Sequence, residues 1–168
     1  MVDDRIVQWI PIGRGIDIIA TVACDFRYVA EWPLAGVVQH NTERAGQTRC
    51  DMDLQVLGRA ERVRISQSLG GAAQGCRLDA NGLETAVGLV EASLPEARLL
   101  IVNKFGKAEI EGRGFRLLIG EALGRGLPVL VGVKRDNLTG FAAFAEGMAE
   151  ALPADAEALT AWCVARMA

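Results

Sequence analysis

Lysine is the residue this chain almost does without: of eighteen basic residues only Lys104, Lys107 and Lys134 are lysine, and the other fifteen are arginine. Histidine occurs once, as His40. Four cysteines, Cys24, Cys50, Cys76 and Cys163, are scattered with no C-x-x-C pair. That spacing indicates neither a zinc site nor a disulfide framework, so free thiols are expected. A basic excess is also missing. With a net charge of -3 and a pI near 5.3 the chain has no field to attract nucleic acid, and no basic amphipathic helix suits a membrane surface. No apolar run reaches transmembrane length, and the opening MVDDRIVQWIPIGRG lacks the charged and apolar regions of a signal peptide. The expectation is a cytoplasmic protein with neither nucleic acid nor membrane as a partner; a homo-oligomer is compatible with it.

What is present is apolar. Hydrophobic residues make up 51% of 168, enough for one sizeable core, and no break in composition divides the chain, so residues 1–168 read as one domain. Its organising stretch runs from Arg98 to Val133. Leu99 to Val102 reads as a strand buried on both faces. After the turn NKFGKAEIEGRG, Phe115, Leu118, Ile119, Ala122 and Leu123 recur at helical spacing, and Gly124 and Gly126 end that helix. Pro128 leads into a second apolar run, Val129 to Val133. Strand, helix and strand at this spacing make a crossover between parallel strands. Ligands on such sheets sit beyond the carboxyl ends of the strands, here the turn around Asn103, Lys104, Phe105, Gly106 and Lys107. All three lysines lie at or just beyond the ends of these two strands.

The rest of the chain reads as follows. Residues 1 to 15, with Pro11, Gly13 and Gly15, form a loose lead-in. Ile16 to Ala23 is β-branched and apolar and is expected to be the first central strand. About two turns of helix fit before Pro33, an unusually short first crossover, and Leu34 to Val38 is the next strand. Arg49 to Val56 and Arg62 to Ser66 alternate as a β-hairpin or meander beside the parallel sheet. SLGGAAQG is a Gly/Ser loop. Asp79 caps a helix, DANGLETAVGLVEASL, closed by Pro95. Two helical stretches, Asn137 to Leu152 and Asp155 to Met167, are divided by Pro153.

The series GVVQH, RCDMDL, RVRISQSLG, GCRLD and LLIVNKFGKAEIEGRGFRLLIGEALGRGLPVLVGV resembles a bacterial family of uncharacterised proteins found beside molybdate-transport genes, itself similar to small P-loop nucleoside-triphosphatases. The likeness covers roughly Leu34 to Cys163. It implies a three-layer α/β fold of P-loop type with a mainly parallel sheet and a β-hairpin excursion. The nucleotidase pattern has a glycine-rich loop after the first strand, whose N–H groups wrap phosphate, with a Lys for its charge and a Ser or Thr for magnesium. After Ala23 the sequence is CDFRYVAEW, without Gly, Lys, Ser or Thr, and IGRG stands before that strand, so the cradle is expected to be missing. The second part resembles D-E-x-G-x-x-E after a later strand; the matching residues here are Asn103, Lys104, Gly106 and Glu109. Two acids have become an amide and a cation, which favours an anion over a metal.

Each candidate has a plainer alternative beside it. Lys104 and Lys107 are either part of an anion site or solvated turn residues. Arg49, Arg64 and Arg77 can grip a phosphate-like anion with two hydrogen bonds each, or pair with Asp51, Asp53 or Asp79. Cys50 and Cys76 could meet a soft metal or an oxyanion, but with no clustered ligands half-buried packing is the simpler role. His40, with no nucleophile pattern near it, is better read as a hydrogen-bonded strand-end residue than as a general base. The expected ligand is a small anion or nucleotide, the expected site Asn103, Lys104, Lys107, Glu109, Arg49, Arg77, Cys50 and Cys76, with no catalytic or metal residues and no cofactor assigned. Rival readings are an active nucleoside-triphosphatase and a noncatalytic regulator of a molybdate transporter.

Overall fold

The computed structural model describes residues 7–12, 19, 22–23, 33–43, 45–46, 50–67 and 78–167. Seven strands form one sheet: β1 Val7–Ile12, β2 Leu34–Thr42, β3 Asp51–Val56, β4 Arg62–Arg64, β5 Leu99–Phe105, β6 Val129–Lys134 and β7 Ala149–Ala151, in the spatial order β4-β3-β2-β5-β6-β1-β7. The pairs β2/β5, β5/β6, β6/β1 and β1/β7 are parallel, whereas β2/β3 and β3/β4 are antiparallel. The hairpin excursion read from the alternating sequence is therefore present at one edge. So is the central unit, with β5 and β6 adjacent and parallel across the connecting helix.

Along β5 the side chains alternate between two cores. Leu100 and Val102 join one face with Phe115, Ile119, Val90 and Phe141, and Leu99 and Ile101 join the other with Ile19, Val22, Leu159 and Cys163. The first face is covered by helices α1 Ala80–Ser93, α3 Arg116–Gly124 and α4 Leu138–Ala145; the second is covered by α5 Ala156–Met167 and by the helical residues Ile19, Val22 and Ala23. A strand sandwiched in this way has no solvent face, which explains the uninterrupted apolar runs. Helix α1 starts where the sequence says it should: the Asp79 carboxylate accepts N–H bonds from Asn81 and Gly82, a cap that contributes about 1 kcal/mol.

Three sequence expectations fail. Ile16 to Ala23 is not the first strand: Ile19, Val22 and Ala23 are helical, and residues 16–18 and 20–21 lie outside the described residues. The spacing i, i+3, i+4 of those three buried residues is the helical signal that the β-branched run concealed. Within the stretch read as a loose lead-in, Val7–Ile12 is instead β1, held between β6 and β7. Pro11 is tolerated in it because β7 pairs only with Val7 to Trp9, which leaves an open edge for a residue with no N–H. Finally, Asn137 to Leu152 is not one helix: α4 stops at Ala145, Glu146 takes a left-handed conformation with φ 48°, and β7 follows.

Candidate functional site

The carboxyl ends of the parallel strands gather on one edge of the sheet, and the charged residues there fall into two groups. On the hairpin side, His40 lies opposite Asp53 in register, and Asp53 lies opposite Arg64. The Arg64 Nε is 2.5 Å from Asp53 Oδ1 and its Nη1 is 3.3 Å from Asp51 Oδ2, so one guanidinium serves both buried acids. The pairing alternative named for Arg64 is thus the one adopted. Asp53 and Asp51 in turn raise the affinity of Arg64 for its proton. Cys50, half-buried, precedes β3 on this side.

The second group belongs to β5 and β6. Asn103 is almost wholly buried, at 1% exposure, in register with Val38 of β2 and Gly132 of β6. Gly132 is what makes room for it: a Cβ there would stand 2.6 Å from Asn103 Oδ1 and 3.1 Å from Ile12 and Ile19. The Asn103 carboxamide therefore lies across β6 toward the end of β1. The Asn103–Lys104 peptide bond is cis. Pairing between β5 and β6 shifts register between Asn103 and Phe105, so that Lys104 sits in an irregularity of the kind that re-aims a side chain at a strand end. Lys107 opens the short helix α2 Lys107–Ile110 and is exposed, with Nζ 3.8 Å from Glu111 Oε1. Lys134, also exposed, ends β6 beside Ile12.

Glu109 is brought close to this turn but faces inward. At 3% exposure, its Oε2 accepts the Gly106 N–H at 2.9 Å and its Oε1 the Phe115 N–H at 3.3 Å. Burial pushes its carboxyl above the ordinary range, partly offset by those amides and by the charge of Lys104. Glu111, by contrast, is held below that range by Arg113 and Lys107. Arg49, Cys76 and Arg77 lie outside the described residues, so Asn103, Lys104, Lys107 and Glu109 are the members of the expected set seen together, with Cys50 across the sheet on the hairpin side. Among the described residues no three acidic, His or Cys side chains gather as a metal-ligand group. No described helix is long and apolar enough to cross a membrane. An apolar groove of about 270 Å³ lined by Val7, Leu123, Phe144 and Met148 lies at the amino end of β1, away from these charges.

The revised first strand changes one inference outright. Because β1 ends at Ile12, Gly13 and Gly15 follow the first strand instead of preceding it, and the segment after Ala23 is not where a phosphate-wrapping loop would stand. Residues 13–18 themselves are outside the described set. Sequence reasoning missed this position, as it missed Gly132 as part of the edge; it had placed Lys134 at the strand end but not in the expected site. The signal for the first was the Gly-x-Gly immediately after VQWIPI, which stands before the strand as long as Ile16 to Ala23 is taken for the first one. The chain still contains no Gly-Lys-Ser or Gly-Lys-Thr, and its single Gly-Lys pair, Gly106-Lys107, is followed by Ala108.

Comparison with known proteins agrees with this architecture. The solved structure of THEP1 from the hyperthermophile Aquifex aeolicus superposes with a TM-score of 0.65 at 11% identity, covering 96% of this chain and 98% of that one. The shared fold is the three-layer P-loop nucleoside-triphosphatase fold with a mostly parallel sheet. In sequence, the chain is 31% identical over 130 residues to the molybdenum import ATP-binding protein ModC 2 of Bradyrhizobium diazoefficiens (strain JCM 10833 / BCRC 13528 / IAM 13628 / NBRC 14792 / USDA 110). The match takes in 77% of this chain but only 14% of that relative. Residues 14–162 match the family described as protein of unknown function DUF2478, and on that extent of agreement the chain belongs to the DUF2478 family.

Proposed function

We propose that the carboxyl ends of β5 and β6 bind the phosphates of a nucleotide or a tetrahedral oxyanion directly, without hydrolysis and without a divalent cation, in a protein of molybdate or molybdenum-cofactor handling. One observation carries the reading. In a chain with three lysines, Lys104 and Lys134 sit at the ends of two adjacent parallel strands and Lys107 sits one short turn further on. Ligands of open α/β sheets bind at such ends, and a lysine there meets an anion as a mobile point charge. Asn103 and Lys104 replace two acids of the nucleotidase pattern, and a cation at that place opposes a metal ion by Coulomb repulsion. The sequence also lacks a Lys-Ser or Lys-Thr after Gly13-Arg14-Gly15. In the nucleotidases that pair supplies phosphate neutralisation and magnesium.

The molybdenum part is supported by the name of the relative, a molybdenum import ATP-binding protein. The same relative favours a second reading, a noncatalytic regulator of a molybdate transporter, because most of its length lies outside the matched segment. Continuity with a transporter protein there suggests a unit that reports ligand to a neighbour.

A thermal-shift panel of ATP, ADP, molybdate, tungstate, sulfate and phosphate, each with magnesium and with EDTA, tests the ligand class, since a bound ligand raises stability by mass action. An anion that stabilises equally in EDTA is expected. Calorimetric titration of that anion into Lys104→Ala should then show a loss of about tenfold or more, because a charge-assisted hydrogen bond contributes about 1.5–3 kcal/mol. Equal affinity in wild type and Lys104→Ala places the site elsewhere. Turnover of ATP or GTP at about 1 per second or faster rejects the noncatalytic part.

A further inference from the structure

The motif NKFGKAEIEGRGFR is longer than an anion site needs, and most of it is spent on one buried carboxylate. Glu109 receives N–H bonds from both ends of the turn, Gly106 on one side and Phe115 on the other. Gly114, at φ 61°, leaves the space this requires: a Cβ there would lie 2.4 Å from Glu109 Oε1. The Gly114 N–H is taken by Glu84 Oε1 of α1 at 3.3 Å. From outside, Arg116 Nη1 donates to the carbonyl oxygens of Glu109 and Ile110 at 3.1 and 3.2 Å, with its guanidinium 5.1 Å from the centre of the Phe144 ring. The turn is closed on itself from within and from without.

We infer that Glu109 is a positioning residue, whose carboxylate fastens the turn between Gly106 and Phe115 so that Lys104 and Lys107 are held toward a bound anion, and that it does not itself touch the ligand. The inference rests on the anion reading above and deepens it by separating the residues that bind from the residue that shapes the site. A carboxylate suits this task because it has two acceptor oxygens and no donor, so it can serve two amide N–H groups at once. Its own negative charge makes it a poor direct partner for an anion.

The experiment compares wild type, Glu109→Gln, Glu109→Ala and Gly114→Ala in two readouts: amide hydrogen exchange at Gly106 and Phe115 without ligand, and calorimetric affinity for ADP and for molybdate. Exchange at Ile101, in the central β5, reports that each variant remains folded. Glutamine has one acceptor oxygen, so Glu109→Gln should lose protection at one of the two amides, whereas Glu109→Ala should lose about tenfold or more at both. Gly114→Ala, which displaces the carboxylate without removing it, should deprotect Phe115. Affinity should fall about tenfold in Glu109→Ala but stay within about threefold of wild type in Glu109→Gln, where half the fastening remains and a repulsive charge is gone. If Gln costs as much affinity as Ala while keeping an amide protected, the carboxylate contacts the ligand and the inference fails. Unchanged exchange in Glu109→Ala also overturns it. A wild type that binds neither probe overturns the anion reading together with the binding half of this inference, and the exchange pattern tells that failure apart from failure of the fastening.

Discussion

Two halves of the same sheet edge handle charge in opposite ways. On the hairpin side, Asp51 and Asp53 are buried to 8% exposure and share the Arg64 guanidinium, which reaches across from β4. On the β5 side, the buried carboxylate of Glu109 takes its hydrogen bonds from backbone amides, with the charge of Lys104 a smaller influence. The hairpin thus spends its arginine internally. The β5 turn holds its acid with N–H groups and leaves lysine charge at the strand ends, Lys107 and Lys134 in solvent. The lesson is that buried acids close on an arginine in one place and on backbone N–H groups a few strands away. What differs is which groups supply the hydrogen bonds to the acids.

The seam between the halves is the pairing of β2 with β5, and the largest effect is expected there. Gly36, at φ 130°, lies against β5 so closely that a Cβ would stand 1.8 Å from the Ile101 carbonyl oxygen. Gly36→Ala should cost more than about 4 kcal/mol, a large part of the stability of an ordinary domain, and lower the urea midpoint by about 2 M. A variant that unfolds near the wild-type midpoint would mean that the two strands can separate without loss.

A smaller effect sharpens the comparison. Arg64→Ala leaves two buried carboxylates without their cation, but the Arg64 side chain is 47% exposed, so the cost falls between the surface and buried limits, at about 1–2 kcal/mol in urea unfolding. The affinity for the anion proposed to bind on the β5 side should not change. A parallel fall in affinity would show that Arg64 reaches the ligand and that the two halves act as one site.

The smallest effect concerns pH. Burial raises the Glu109 pKa above 4.5, so the folded state holds this proton more tightly than the unfolded chain does. Stability from this group is fully present below the unfolded value and is lost as pH rises through the raised folded one. The stability difference between wild type and Glu109→Gln should therefore move against wild type as pH rises from about 4 toward neutrality, a trend that thermal melts across that range can follow. A difference that moves the other way would mean that the amide bonds outweigh desolvation.

The sequence made some of this legible because the controlling forces are local. Leu99 to Val102 and Val129 to Val133 carry enough contiguous apolar character that only a strand covered on both faces accounts for them, and Asp79 announces a cap within three residues of the amides it binds. The hairpin followed from alternation. For the site, the lysines of the β5 turn were visible from composition alone, because lysine is rare in the chain. The role of Glu109 was not, since its partners Gly106 and Phe115 and the space over Gly114 exist only once the turn is folded.

What the sequence by itself determined is the class of fold, the central parallel pair and the excess of basic residues at the ends of its strands, since periodicity and composition act over a few neighbouring residues. Only the tertiary structure decided which segment is the first strand. Val7–Ile12 has weak strand signals and a proline, yet β6 and β7 bind it on both sides; Ile16 to Ala23 has strong ones, yet Ile19, Val22 and Ala23 pack as a helical face. Burial against partners distant in sequence outweighs propensities worth only tenths of a kcal/mol per residue, and no reading of neighbours can supply those partners.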